Sequence, residues 1–315
     1  MYSKPTYMRM KEENKVDKTL AGLKDFQRST VDYVFDQLYF RDRNKILIAD
    51  EVGLGKTIVA KGIIAKAYRH FVEKKGEPSF RVVYVCSNQA LAKQNLTKLN
   101  FTEDEKAIDF SQEDDRITSL AYMRPKSEGQ PFTIKAFTQA TSFDDRTHAG
   151  KADERRLLYR LLYQYNILAP HKNSLKWILK GNRRIKDETW ENLIRWAEEY
   201  DQGKNTWLSP IRREMGPLFR KSLKEVVSPR DMPKCFEALG VQRPMKLWSL
   251  LVQLCALGIR KNNYHLYHFQ KELISRLRFE LSQSCIKFLN ADIFILDEFQ
   301  RYKHLIEMPE DDEPN

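Results

Sequence analysis

Two short stretches hold residue types whose spacing could do chemistry on a phosphate. In Gly53-Leu-Gly-Lys-Thr57, two glycines one residue apart precede a lysine and a hydroxyl side chain. Glycine lets a backbone approach an anion without a Cβ in the way. The loop N–H groups and a following helix N-terminus then face the negative charge, Lys56 adds a point charge, and the Thr57 hydroxyl can ligate Mg²⁺. The first position of the usual pattern is glycine, and here it is Asp50. The competing reading is a glycine-rich turn that merely precedes a lysine. The second stretch, Ile293-Phe-Ile-Leu-Asp-Glu298, is an apolar run tipped by two carboxylates. Asp297 suits a Mg²⁺ held through water, and Glu298 suits polarising the water that attacks a γ-phosphate. Alone, an Asp-Glu tip says little; paired with the glycine loop it specifies a nucleoside-triphosphate site.

Such residues need a sheet to carry them. Ile46 to Ala49 reads as a buried parallel strand entering the loop, and Ile58, Val59, Ala60, Ile63, Ile64 and Ala67 have helical spacing after it. Arg81–Cys86, Phe132–Phe137 and Ile293–Leu296 read as further strands. The segment from Leu23 to Leu38 shows a helical stripe, and so does Ala90–Leu99. Alternating strands and helices predict an α/β fold, a parallel sheet with its chemistry at the C-terminal strand ends. The expected lobe is discontinuous, 21–143 and 264–305, the latter starting with a long helix over Tyr264–Leu289. Residues 1–20 are polar and aperiodic, a loose arm. Residues 144–263 form a helical insertion with helices at 155–165, 174–179, 187–200 (capped by Asp187), 217–227 and 245–257. All five tryptophans lie there, read as a small core rather than base-stacking platforms. Residues 306–315 are an acidic tail.

Composition narrows the class. Apolar residues at 42% and charged ones at 31% of 315 fit a soluble globular chain. No run is long enough for a membrane span and no signal peptide opens the sequence, so a cytoplasmic setting is expected. Cys86, Cys235, Cys255 and Cys285 are too scattered for a disulfide framework or a zinc box, and His265 and His268 have no partner ligands nearby. The net charge is +11, and 25 basic against 15 acidic residues between Asp144 and Ser275 account for +10 of it. That excess suits a polyanion such as nucleic acid, with Arg183-Arg-Ile-Lys186 and Arg212-Arg213 as candidate contacts; a solvated helical surface is the alternative.

Asp50-Glu-Val-Gly-Leu-Gly-Lys-Thr57 resembles motif I of the Swi/Snf-like group of superfamily-two helicases, where Asp at the first position is usual. Phe26-Gln27, in a helix just upstream, resembles the aromatic-Gln pair with which that group recognises adenine. The resemblance implies a RecA-like lobe that binds ATP and Mg²⁺. Gln27, Asp50, Gly53, Leu54, Gly55, Lys56 and Thr57 would contact ATP, Thr57 and Asp297 the metal, with Lys56 and Glu298 catalytic. Val83 to Asn95 stands where motif Ia lies, and Thr138-Gln-Ala-Thr-Ser142 where the next strand-end motif lies. Ser87, Asn88, Gln89, Thr138 and Thr141 are thereby implied on a nucleic-acid backbone, DNA rather than RNA. The Pro and Trp common in chromatin-remodelling members are missing from motif Ia. Asp297-Glu-Phe-Gln-Arg301 replaces the commoner Asp-Glu-x-His and looks like a variant in bacterial helicase-related proteins, many of which accompany phage-defence or restriction genes.

The sequence ends 18 residues after Asp297, with no Ser-Ala-Thr coupling motif and no second lobe to supply an arginine finger. Such a finger is worth about 10³–10⁵ in rate in related systems. The expectation is an ATP hydrolase that is feeble alone and needs a second-lobe partner chain. A nucleotide-gated interaction module, docking through the helical insertion and acidic tail, is the alternative. A GTPase is disfavoured because no Asn-Lys-x-Asp guanine signature appears.

Overall fold

The computed structural model describes residues 4–49, 53–75, 80–87, 89–109, 116–123, 131–138, 150–181, 185–227, 245–258, 264–289 and 291–297. Asp50, Asn88, Thr141, Arg183, Arg184, Glu298, Arg301 and the 306–315 tail lie outside them. The chain divides into two compact units. One comprises 1–116, 126–140 and 290–315; the other comprises 117–125 and 141–289.

The first unit is built on a parallel sheet. Its strands are β1 (Phe80–Cys86), β2 (Ile108–Asp109), β3 (Phe132–Thr138) and β4 (Ile293–Leu296), in the order β2-β3-β1-β4. Register is set at β1, where Val82 pairs with Ile134 on one side and Ile293 on the other. Six of the seven β1 residues are buried. That is why β1 reads as a continuous apolar run rather than an alternating one. Asp292 and Asp297 pin β4 at both ends: the Asp292 N–H donates to Arg81 O at 2.8 Å and the Asp297 N–H to Val85 O at 2.9 Å.

Around the sheet stand α1 (Lys4–Ala21), α2 (Asp25–Tyr39), α3 (Lys56–Lys75) and α4 (Gln89–Leu99). The predicted α/β class is observed. Tyr68 of α3, Phe80, Phe101 and Phe132 interlock beneath α3, with Phe101 and Phe132 ring centroids 4.7 Å apart. Edge-to-face packing of this kind adds roughly 0.5–1.5 kcal/mol per pair to the area buried. Gly62 lets α2 and α3 close up: a Cβ there would meet Val31 Cγ2 at 2.8 Å.

Three expectations for this unit are corrected. Residues 4–21 form a helix, not a loose arm. Val16 is fully buried, and Asp17 pairs with Arg69 of α3 and Lys18 with Glu103. One buried face suffices to hold a helix whose composition is otherwise polar. Residues 46–49 do not form a strand. Ile46 and Ile48 pack against the Val31, Val34 and Val59 cluster that Ile293 also joins, while Leu47 points outward; apolar packing is satisfied without ladder hydrogen bonds. The long helix at 264–286 belongs to the other unit.

The second unit is helical: α5 (Ala152–Leu162), α6 (Lys172–Lys180), α7 (Asp187–Asp201), α8 (Met215–Glu225), α9 (Leu247–Ala256) and α10 (Tyr264–Ile286). Leu273, Leu277, Leu281 and Cys285 of α10 are all buried, and α10 packs on α5, α6 and α8. Trp190 and Trp248 are core residues, whereas Trp207 is 74% exposed. The capping role expected for Asp187 is not observed. Lys186 occupies the N-cap without a side-chain hydrogen bond, and Asp187 in the first turn pairs with Lys180. Arg212 is structural too. Its Nε donates to Leu120 O at 2.8 Å and its guanidinium lies over Phe288.

Candidate functional site

The glycine loop opens onto α3. Gly53 and Gly55 have φ of +97° and +80°, the left-handed region that suits glycine. Gly55 O accepts from the Ile58 and Val59 N–H groups at 2.7 and 3.1 Å, so the loop passes directly into the helix. Gly53, Leu54 and Lys56 are exposed, and Thr57 is half-buried in the first turn. An open glycine turn at the head of a 20-residue helix presents N–H groups and the positive end of the helix dipole to an anion.

Gln27 is brought to this loop by α2. It is 4% exposed; its Oε1 accepts from the Lys24 N–H at 3.1 Å, and its Nε2 donates to Leu54 O at 3.3 Å. A Cβ on Gly55 would stand 2.8 Å from Gln27 Nε2. Gln27, Leu54 and Gly55, three of the residues expected to contact ATP, therefore sit together. Phe26, Leu54 and Ile58, on the same two helices and loop, are each more than 40% exposed.

At the C-terminal edge of the sheet the parallel register sets Cys86 level with Thr138, and Val85 level with Leu296. Ser87 and Asp297 follow directly at that edge. Thr138 is 2% exposed, its side chain inside the lobe. Ser87 is half-buried, and Gln89 begins α4.

Asp297 is held by two residues whose role the sequence did not reveal. Tyr84 Oη donates to Asp297 Oδ2 at 2.5 Å, and Asn95 Nδ2 donates to the same oxygen at 3.3 Å and to Tyr84 Oη at 2.7 Å. Burial, reinforced by the hydrogen bond to Asp297, holds the Tyr84 phenol far above its ordinary pKa. It remains a proton donor throughout any working pH. A buried tyrosine among the valines of β1, and an asparagine on the buried face of α4, were the local signals.

Among the described residues no cluster of three or more His, Cys, Asp or Glu could hold a metal ion. No described helix is long and apolar enough to cross a membrane. The side chains of His265 and His268 lie outside the description.

Residues 8–166, slightly more than half of the chain, match the family described as Type III restriction enzyme, res subunit. The matched span runs from within α1 to just past α5 and takes in Gln27, the glycine loop, β1, α4 and β3. No curated protein and no solved structure gives a match.

Proposed function

We propose that this chain, which belongs to the res-subunit family of Type III restriction enzymes, uses its first unit as the ATP-binding lobe of a DNA-dependent helicase or translocase. The family brings a helicase-like, RecA-type P-loop lobe, and the observed parallel sheet is of that kind. One observation carries the reading: the glycine turn is open, stands at the head of α3, and is touched by the side chain of Gln27. Phosphate would lie against the loop N–H groups, with Lys56 supplying charge. Adenine would lie between Gln27 and the exposed apolar side chains of Phe26, Leu54 and Ile58.

The residues present fit a Mg²⁺–ATP complex. Thr57 offers a hydroxyl in the first turn of α3, and Asp297 a carboxylate at the strand-end edge where α/β sheets bind ligands. Bound magnesium would neutralise phosphate charge. Thr57 and Asp297 would hold it, and Glu298, next to Asp297, is the proposed base toward the attacking water. Ser87 and the segment after β3 are the proposed contacts for a DNA backbone. Asp50 and the Asp297-Glu-Phe-Gln sequence are the features that favour a Swi/Snf-like subtype and a defence setting.

Lys56→Ala tests the reading. It should weaken binding of a fluorescent ATP analogue by at least tenfold, about 1.4 kcal/mol, leaving the thermal midpoint of the chain in place. DNA affinity should fall steeply with salt, because phosphate contacts release counterions. Retention of ATP affinity in Lys56→Ala, or tighter binding of GTP than ATP, would overturn it. ATP binding without salt-sensitive DNA affinity would instead favour a nucleotide-gated module.

A further inference from the structure

Tyr84 and Asn95 occupy places where apolar side chains would pack as well. Tyr84 is 2% exposed in β1, and Asn95 8% exposed in α4. Buried polar atoms cost free energy unless they find partners. Phenylalanine and leucine would fill the same space without that demand. The partners they do find are each other and Asp297 Oδ2, at 2.7, 2.5 and 3.3 Å. Both approach a single oxygen of a carboxylate more than 200 residues away in sequence.

We propose that Tyr84 and Asn95 are positioning residues for Asp297, fixing its carboxylate in one orientation so that magnesium-dependent nucleotide binding need not order it. The proposal rests on Asp297 serving the magnesium side of the site. The geometry gives three reasons. Asp297 follows the last residue of β4 and is half-buried, and both donors meet its Oδ2, which narrows the rotamers open to its side chain. Its backbone is already fixed by the N–H bond to Val85 O, which leaves the side chain as the part to be ordered. Both donors are neutral, and a neutral donor orients a carboxylate without cancelling the charge a cation needs. Asn95 also bonds Tyr84 Oη, so the three groups close a ring in which each constrains the other two. α4, which carries Asn95, also opens two residues after Ser87, which lies at the same sheet edge.

The test uses the full chain and a fluorescent ATP analogue titrated across a series of Mg²⁺ concentrations and in EDTA. Tyr84→Phe removes a single hydroxyl. It should raise the Mg²⁺ concentration at half-saturation by about fivefold, the size expected for one net hydrogen bond. Affinity in EDTA should not move. Asn95→Leu should shift the Mg²⁺ midpoint in the same direction, and the double variant should fall short of the product of the two because the groups act as one. In an Asp297→Asn background Tyr84→Phe should have no further effect. A Mg²⁺ midpoint within twofold of wild type would overturn the proposal. So would a shift that persists in the Asp297→Asn background, or a parallel loss of affinity in EDTA, which marks a merely structural role. If wild type binds no ATP, or Asp297→Asn alone leaves the midpoint in place, the underlying site reading has failed, and the proposal with it. That failure is visible before any Tyr84 variant is made. Asn95→Leu supplies the decision should Tyr84→Phe fold poorly.

Discussion

Asp297 and Glu154 are both acids caught in hydrogen bonds, yet their company differs. Asp297, at the edge of the sheet, accepts from Tyr84 and Asn95. Glu154, in the core of the helical unit, accepts from Arg278 Nε at 3.0 Å, Thr118 Oγ1 at 3.1 Å and the Lys151 N–H at 3.3 Å. An arginine answers the charge of a buried carboxylate; neutral donors only aim it. The Arg278–Glu154 arrangement belongs to packing, whereas the Tyr84 and Asn95 donors at Asp297 suit the magnesium-side role proposed for it. Two arginines of the helical unit are likewise held by packing. Arg155 sends its guanidinium to Lys180 O and Gly150 O, and Arg160 to Asp201 and Ser209 O. Both are 2% exposed. The charges of Arg155 and Arg160 are therefore held inside the unit and are not offered to a polyanion.

The sharpest way to break this contrast is to remove one member of each arrangement. Arg278→Met strands Glu154, buried, without its cation. Breaking a buried pair from one side costs about 3–5 kcal/mol, so urea denaturation should show a loss of that order. Adding Glu154→Gln to Arg278→Met should recover a large part of it, since the uncompensated charge is then gone. Asp297→Asn, at a half-buried strand end, should cost about 1 kcal/mol or less while raising the Mg²⁺ concentration at half-saturation of nucleotide binding more than Tyr84→Phe does. A cheap Arg278→Met would show that the helical unit does not depend on the pair.

The next effect is smaller and concerns the loop. Gly55→Ala meets two obstacles, a φ of +80° and a Cβ 2.8 Å from Gln27 Nε2. Gly53→Ala meets only the first, with no atom of the described residues within 4 Å of the added Cβ. A left-handed alanine costs about 1–2 kcal/mol, and that much applies to both. Gly55→Ala should in addition dislodge Gln27 and weaken ATP-analogue binding about tenfold, the equivalent of roughly 1.4 kcal/mol. Equal losses at the two glycines would mean that the close approach of Gln27 contributes nothing.

What the sequence disclosed follows the range of its signals. The glycine loop, the α2 stripe and the three strands at 80–86, 132–138 and 293–296 are local patterns, and the structure has them at nearly the expected bounds. Even there, Phe26, an apolar residue within the Leu23–Leu38 segment, is 47% exposed, and Gln27 takes the buried place. A glutamine is buried only when something accepts and donates to it, and Leu54 O is 27 residues on. Ile46–Ala49 misled because an apolar run reports burial, not a ladder partner. The helix α1 escaped because Val16, fully buried, stands between the charged Lys15 and Asp17, and its buried neighbour one turn back is the polar Glu12. Tyr84 and Asn95 find their purpose only when β4 arrives beside β1, which no window of residues can show.

The smallest effect separates the two units chemically. Burial pushes the thiols of Cys255 and Cys285, both in the helical unit, up to about 12. A thiol whose folded pKa is raised keeps its proton in the fold. Its contribution to stability is complete below its ordinary value of 9.0 and is lost as pH rises from there through about 12, because only the unfolded chain releases the proton in that window. At pH 8 native Cys255 and Cys285 should therefore resist alkylation, and at pH 10 the helical unit should denature at a lower urea concentration than at pH 8. Cys86, buried in β1, reports on the other unit. In Arg278→Met, mass spectrometry after a pulse of iodoacetamide in mild urea should find Cys255 and Cys285 labelled while Cys86 stays protected. Simultaneous labelling of all three would mean that the units open as one, and that Arg278–Glu154 holds the glycine loop's sheet as firmly as it holds the helices.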